Sequence, residues 1–115
     1  MPKLIHVSET ETREGLTPAG RRPGADEGDP QVKTLSLESG TGVRMGVWEC
    51  TPGSWVVRDR PDTETFYVIE GKARLHDDES GTIVAVEAGD FVTFPAGWSG
   101  RWTVVETVRK AYTVA

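Results

Sequence analysis

The sequence has one cysteine, two histidines and no apolar stretch long enough to span a bilayer. Each shortage excludes something. Cys50 alone cannot close an intrachain disulfide, which points to a reducing compartment, the cytoplasm. A membrane helix needs about 20 consecutive apolar residues, and the first residues lack the apolar core of a secretory signal; no membrane partner is expected. Cations are also in the minority, with 13 Lys and Arg against 18 Asp and Glu, a net charge of −5. Arg21-Arg22 and Arg109-Lys110 are too short to make a basic surface, so nucleic acid is not an expected partner. Internal repeats are missing, and no window of about 11 residues carries a helical apolar period.

What remains reads as strands. With 115 residues, 37% of them hydrophobic, the chain has room for one core. Lys3–Val7 is a short apolar run expected to form an N-terminal strand. The stretch from Ser8 to Pro30 gathers Pro18, Gly20, Pro23, Gly24 and Gly28 among charges and is expected to be an irregular, exposed arm. From residue 31 to 115, β-prone runs alternate with turn signals. Strands are expected at about Val32–Leu37, Val43–Cys50, Ser54–Arg58, Thr65–Glu70, Lys72–His76, Thr82–Glu87, Asp90–Phe94, Arg101–Glu106 and Val108–Val114. Breaks fall at Ser39-Gly40, Pro52-Gly53, Gly71, Asp77–Gly81, Ala88-Gly89 and Pro95–Gly97. This pattern predicts an all-β sandwich, barrel or jelly roll with little or no helix.

Two stretches sharpen the fold. In Gly89-Asp90-Phe91-Val92-Thr93-Phe94-Pro95-Ala96-Gly97, a tight Gly-Asp turn launches a strand that Pro-x-Gly ends. In Glu64-Thr65-Phe66-Tyr67-Val68-Ile69-Glu70-Gly71, a strand runs from a glutamate to a hairpin glycine. Together they resemble the two motifs of the cupins. With Trp48-Glu49-x-Thr51-Pro52-Gly53 and Trp102 followed by Val108-Arg109-Lys110-x-Tyr112, they are similar to the small-cupin branch of ethanolamine-utilisation Q proteins and ureidoglycine aminohydrolase domains. The resemblance covers Val43 to Val114 and implies a jelly-roll barrel that forms homodimers. Leu4 and the arm up to Pro30 are the segments expected to reach across.

The match fails where cupins hold a metal. Metal-binding cupins carry His-x-His shortly before the glutamate and a further histidine after the Pro-x-Gly turn. Here those positions read Arg58-Asp59-Arg60 or Val57-Arg58-Asp59, and Gly100. His6 and His76 match neither. Arginine stays protonated and offers no lone pair, so Glu64 is the one motif donor left and no metal or other cofactor is expected.

If the motif positions keep their inward direction, Arg58, Arg60 and Glu64 face the barrel mouth, with Phe66 and Val68 behind them by strand alternation. Trp102 shares the face of Gly100 and is placed to fill the missing histidine's space, and Trp98 sits on the adjoining turn. Lys110 matches a lysine typical of the resembled branch. Two readings follow for Arg58, Arg60, Glu64, Phe66, Trp98, Trp102 and Lys110. One is a pocket for a small anionic metabolite, since a guanidinium fork suits carboxylate or phosphate. The other is a structural ion pair of Glu64 with an arginine, over a tryptophan core. The alternative to a binding module is an enzyme, either of the aminohydrolase kind with a degenerate metal site or acting through Glu64 as a general acid/base. Cys50 reads as an inert buried thiol, Trp48 and Trp55 as core or interface aromatics, and His76 with Asp77, Asp78 and Glu79 as a solvated turn.

Overall fold

The computed structural model describes residues 2–38, 40 and 42–115. One short helix, α1 (Glu9–Glu14), precedes nine strands: β1 (Thr17–Arg21), β2 (Ala25–Gly28), β3 (Gln31–Glu38), β4 (Arg44–Cys50), β5 (Gly53–Val57), β6 (Glu64–Asp77), β7 (Ile83–Glu87), β8 (Phe91–Phe94) and β9 (Gly100–Val114). All pairings are antiparallel. Among the described residues no helix is long and apolar enough to cross a membrane.

Two long strands organise the molecule. One half of β9, residues 108–114, pairs with β4 and with the first half of β6, which β8 borders. Its other half, residues 100–104, pairs with β5 and with the second half of β6, which β7 borders. The continuous sheet is thereby divided into two layers. One runs β1-β3-β4-β9-β6-β8, the other β2-β5-β9-β6-β7, both sharing the bent β6–β9 pair. This is the expected jelly roll. The bend falls at register shifts between Val68 and Ala73. Those bulges move the inward face of β6 from Glu64, Phe66 and Val68 to Ala73 and Leu75. Both layers therefore keep apolar side chains inside, and Phe66 of one layer meets Trp102 of the other at 5.6 Å between ring centroids.

Three expectations change. Lys3–Val7 forms no strand. The arm is more ordered than its composition suggests: Ser8 and Glu11 cap α1 reciprocally, the Glu11 N–H donating to Ser8 Oγ at 3.2 Å. Strands β1 and β2 then add to opposite layers, on β3 and β5. Lastly, Gly71 and Thr107 do not end strands; β6 and β9 run through them. The break at Ser39-Gly40 involves Ser39, which lies outside the described residues.

Candidate functional site

The layers part at one end around a cavity of about 210 Å³. Trp102, Lys110, Tyr112 and Val114 face it from β9, Trp48 from β4, Trp55 and Val57 from β5, and Glu64 opens β6. Two arginines come from connections: Arg22 from the turn between β1 and β2, and Arg60 from the loop before β6. The even-numbered alternation that buries Trp102 and Val104 resumes with Val108 and carries Lys110 inward. Across the ladders Lys110 lies opposite Trp48 and Val68.

Charge is concentrated at this end. The ammonium of Lys110 donates to Glu64 Oε2 at 2.5 Å, and both residues are buried. Three rings surround Lys110 Nζ: Trp48 and Phe66 at 4.5 Å, Trp102 at 4.9 Å. Arg60 Nη2 lies 3.2 Å from the other oxygen of Glu64 and 3.2 Å from Asp62. The loop holding Arg60 is clamped by the Pro-x-Gly turn. Arg60 N–H donates to the Trp98 carbonyl at 3.0 Å, and Gly97 N–H donates to the Arg60 carbonyl at 2.7 Å. That turn positions a cation. The Nε of Arg60 is buried without a hydrogen-bond partner.

Arg22 differs from Arg60. Among the described residues it forms no ion pair; its contacts are the Pro23 carbonyl and the face of Trp55, 5.1 Å from the ring centroid. Burial pulls its guanidinium below the ordinary arginine value, and nearby Arg60 adds to that. Burial likewise pulls Lys110 down from the ordinary lysine value, with Glu64 opposing and Arg60 and Arg22 reinforcing. The cavity wall thus carries three cations and one carboxylate in a chain whose net charge is −5.

The residues singled out from sequence separate into two groups. Arg60, Glu64, Trp102 and Lys110 line the cavity together, and Phe66 lies against Lys110. Arg58 points outward, 69% exposed, and pairs with Asp78 at 2.9 Å; no strand alternation governs the loop after Val57, so the inward expectation does not hold for it. Trp98 also lies outside the cavity. It stacks on Phe94 at 4.2 Å and donates its indole N–H to Asp77 at 3.0 Å. Trp98, rather than Trp102, covers Gly100: a Cβ there would sit 2.4 Å from the Trp98 ring. Sequence reasoning missed Arg22, Tyr112 and the cavity-facing role of Trp48 and Trp55. The ladders bring the tryptophans there, with Trp48 directly across from Lys110 and Trp55 across from Trp102, a register that sequence alternation does not fix. Arg22 carried no signal.

A transition metal does not fit this donor set. Such an ion needs several N, O or S donors around one point, and Glu64 is already engaged by two cations. Among the described residues no three His, Cys, Asp or Glu side chains converge. A histidine at position 100 would also have to displace Trp98 and the His76 carbonyl, 2.1 Å from a Cβ there. Cys50 is fully buried, and burial pushes its thiol up to about 12, so it is inert as expected.

Comparison with known proteins places the chain in a family. No functionally curated relative matches the sequence. A protein of unknown function from Pseudomonas syringae pv. tomato superposes with a TM-score of 0.79 at 29% identity, covering 90% of this chain and 46% of its own. The present chain therefore spans about half that protein's length. A DUF861 family protein of Thermotoga maritima is 38% identical over 57% of this chain and 73% of its own, with a TM-score of 0.53. The EutQ protein of Clostridium difficile shares the fold at 20% identity, with a TM-score of 0.68 over 96% of this chain and 79% of its own. Residues 37–112 match the EutQ-like cupin domain, and the chain belongs to that family.

Proposed function

We propose that this cupin is a metal-free barrel that binds a small anionic molecule at the mouth lined by Arg22, Arg60 and Lys110. The observation that carries this reading is Arg22, a half-buried cation without a carboxylate partner among the described residues, facing a cavity. An unpaired, desolvated charge costs stability, and an anion would offset that cost. Glu64 pairs with Lys110 and shares Arg60 with Asp62, which leaves Arg22 as the cation of the wall without a carboxylate partner among the described residues. The aromatic walls of Trp48, Trp55 and Trp102 lower the local dielectric and strengthen any charge-assisted hydrogen bond made there. At about 210 Å³ the cavity is smaller than the roughly 300–1,000 Å³ of drug-sized sites, so the ligand is a small carboxylate or phosphate. The single buried thiol of Cys50 suits a reducing compartment.

The test is a calorimetric titration of acetate, pyruvate, succinate and inorganic phosphate into wild type, Arg22→Ala and Arg60→Ala, with melting temperatures recorded in parallel. Loss of one charge-assisted hydrogen bond, about 1.5–3 kcal/mol, weakens binding by roughly 10- to 150-fold. Arg22→Ala is expected to lose affinity with little loss of melting temperature, because no internal ion pair is broken. Wild type that binds none of the four, with both variants melting lower, would make the arginines structural and the reading wrong.

A further inference from the structure

We infer that Lys110 is a nucleophile that forms an imine with a small oxo-carboxylate bound at this mouth, its carboxylate held by Arg22 and Arg60. The inference rests on the anion-binding reading and adds a covalent step to it. Of the four lysines, Lys3, Lys33 and Lys72 are exposed and Lys110 alone is buried. It is not needed as a counter-ion, because Arg60 already pairs with Glu64 at 3.2 Å. An apolar side chain would fill the cage of Trp48, Phe66 and Trp102 without the desolvation cost of an ammonium. A lysine in such a cage, lining a cavity and hydrogen-bonded to a carboxylate at 2.5 Å, has the parts of an activated amine: a desolvated nucleophile, an adjacent base and neighbouring cations. Glu64 and the three rings favour the ammonium; burial and the two arginines favour the free amine, and burial is the largest influence.

The step balances with the groups present. The Lys110 ammonium gives one proton to the Glu64 carboxylate. The free Nζ pair attacks the oxo carbon, forming the N–C bond as the C=O π pair moves to oxygen. A second Nζ proton passes to that oxygen, giving a carbinolamine. The Glu64 carboxyl then returns its proton to the hydroxyl, which departs as water while the nitrogen pair forms the C=N bond. The product is a protonated imine paired with the restored Glu64 carboxylate, and no outside proton, oxidant or reductant enters.

Reductive trapping tests this. The full chain is incubated with pyruvate or acetoacetate in the presence of cyanoborohydride, and adducts are located by intact mass and peptide mapping; acetate binding is measured alongside. One adduct per chain on the Lys110 peptide is expected, with Lys3, Lys33 and Lys72 unmodified. It is lost in Lys110→Arg, which keeps the charge, and forms at least roughly ten times more slowly in Arg22→Ala. Wild type that binds acetate or pyruvate without modification at Lys110 overturns the imine and leaves the anion reading standing. Adducts spread over the exposed lysines overturn it as well. Acetone trapped as fast as pyruvate, with no effect of Arg22→Ala, overturns the anion reading and the oxo-acid assignment with it. Wild-type peptide mapping decides the matter even if Lys110→Arg fails to fold.

Discussion

Glu64 carries a cation on each carboxylate oxygen, Lys110 at 2.5 Å and Arg60 at 3.2 Å. Removing one partner of a buried pair costs more than the pair contributes, because the other charge is left desolvated. Glu64→Gln is therefore expected to lower stability by about 3–5 kcal/mol at pH 7. The deficit should depend on pH with a definite sign. Burial holds Lys110 below its ordinary value, and without Glu64 nothing carboxylate opposes that pull. Between its folded value and the unfolded value near 10.4 the unfolded chain binds more protons, so stability rises with pH in that window. Urea unfolding of wild type and Glu64→Gln at matched pH values from 7 to 10 reads the difference, which should narrow as pH rises. A constant gap would mean that the ammonium persists, or that the loss is one of packing alone. The double replacement Glu64→Gln with Lys110→Met should recover most of the loss, since a cage of three rings accepts an apolar side chain.

At the scale of elements, the bend in β6 and β9 decides where the layers lie, and Gly71 is its pivot. Its φ of +98° suits glycine, and a Cβ there would sit 2.1 Å from the Thr107 carbonyl oxygen and 2.7 Å from its carbon. Gly81 has a similar φ of +71° but faces open space. Gly81→Ala is expected to cost about 1 kcal/mol, the backbone penalty alone. Gly71→Ala adds a backbone clash and should cost about 3 kcal/mol or more, lowering Tm by roughly 10 °C or more. Equal melting temperatures for the two variants would show that the bend tolerates displacement. The same elements show what was legible from sequence. Turn residues and alternation located the strands from β3 onward, since each inward residue there is apolar or paired. Gly71 reads as a break in the sequence because a glycine in a strand signals either an end or a bulge, and only the partner strand distinguishes them. Helix α1 was not legible, because its six residues show no apolar period and the Ser8-x-x-Glu11 box stands alone among charges. Motif spacing singled out Glu64 and Arg60, strand parity Trp102, and the family resemblance Lys110, and these four side chains line the cavity. Arg22 was not legible, because it reaches the cavity through the pairing of β2 with β5, and the four residues Ala-Asp-Glu-Gly carry no strand signal. That docking is fixed instead by Arg101, which forks onto Asp26 at 2.7 and 2.8 Å.

At the scale of the molecule, one face lacks a cover among the described residues. Tyr67 of β6 and Phe91 of β8 lie directly across from each other, 45% and 71% exposed. They share a shallow groove with Leu37 and Met45 of the same layer, bordered by Val7 and Thr12. Leu4, 89% exposed, and Ile5, 45% exposed, precede that border in the chain. Three of the four sheet edges are poor docking sites by comparison, while β7, the fourth, is five residues long with Ile83 and Val84 exposed. β2 and β8 have four residues each, and β1 contains Pro18 and a register shift, features that discourage strand addition. Strands β1 and β2 are already committed to their own sheet and Val7 borders the groove of its own chain, which leaves Leu4 to His6 as the part of the arm free to extend. We propose that the chain forms a homodimer through this apolar face, each arm packing on its partner's groove. A two-fold contact places the same patch on both subunits, and an aromatic centre with a polar rim suits it. Light scattering at micromolar concentration should give twice the chain mass of 12.6 kDa. Phe91→Glu together with Tyr67→Glu should give a monomer with an unchanged far-ultraviolet spectrum, because neither side chain belongs to the core. Deleting residues 1–6 should weaken the dimer while leaving β1 and β2 in place. A wild-type monomer would rule the dimer out; a dimer that survives both glutamates would move the contact off this face.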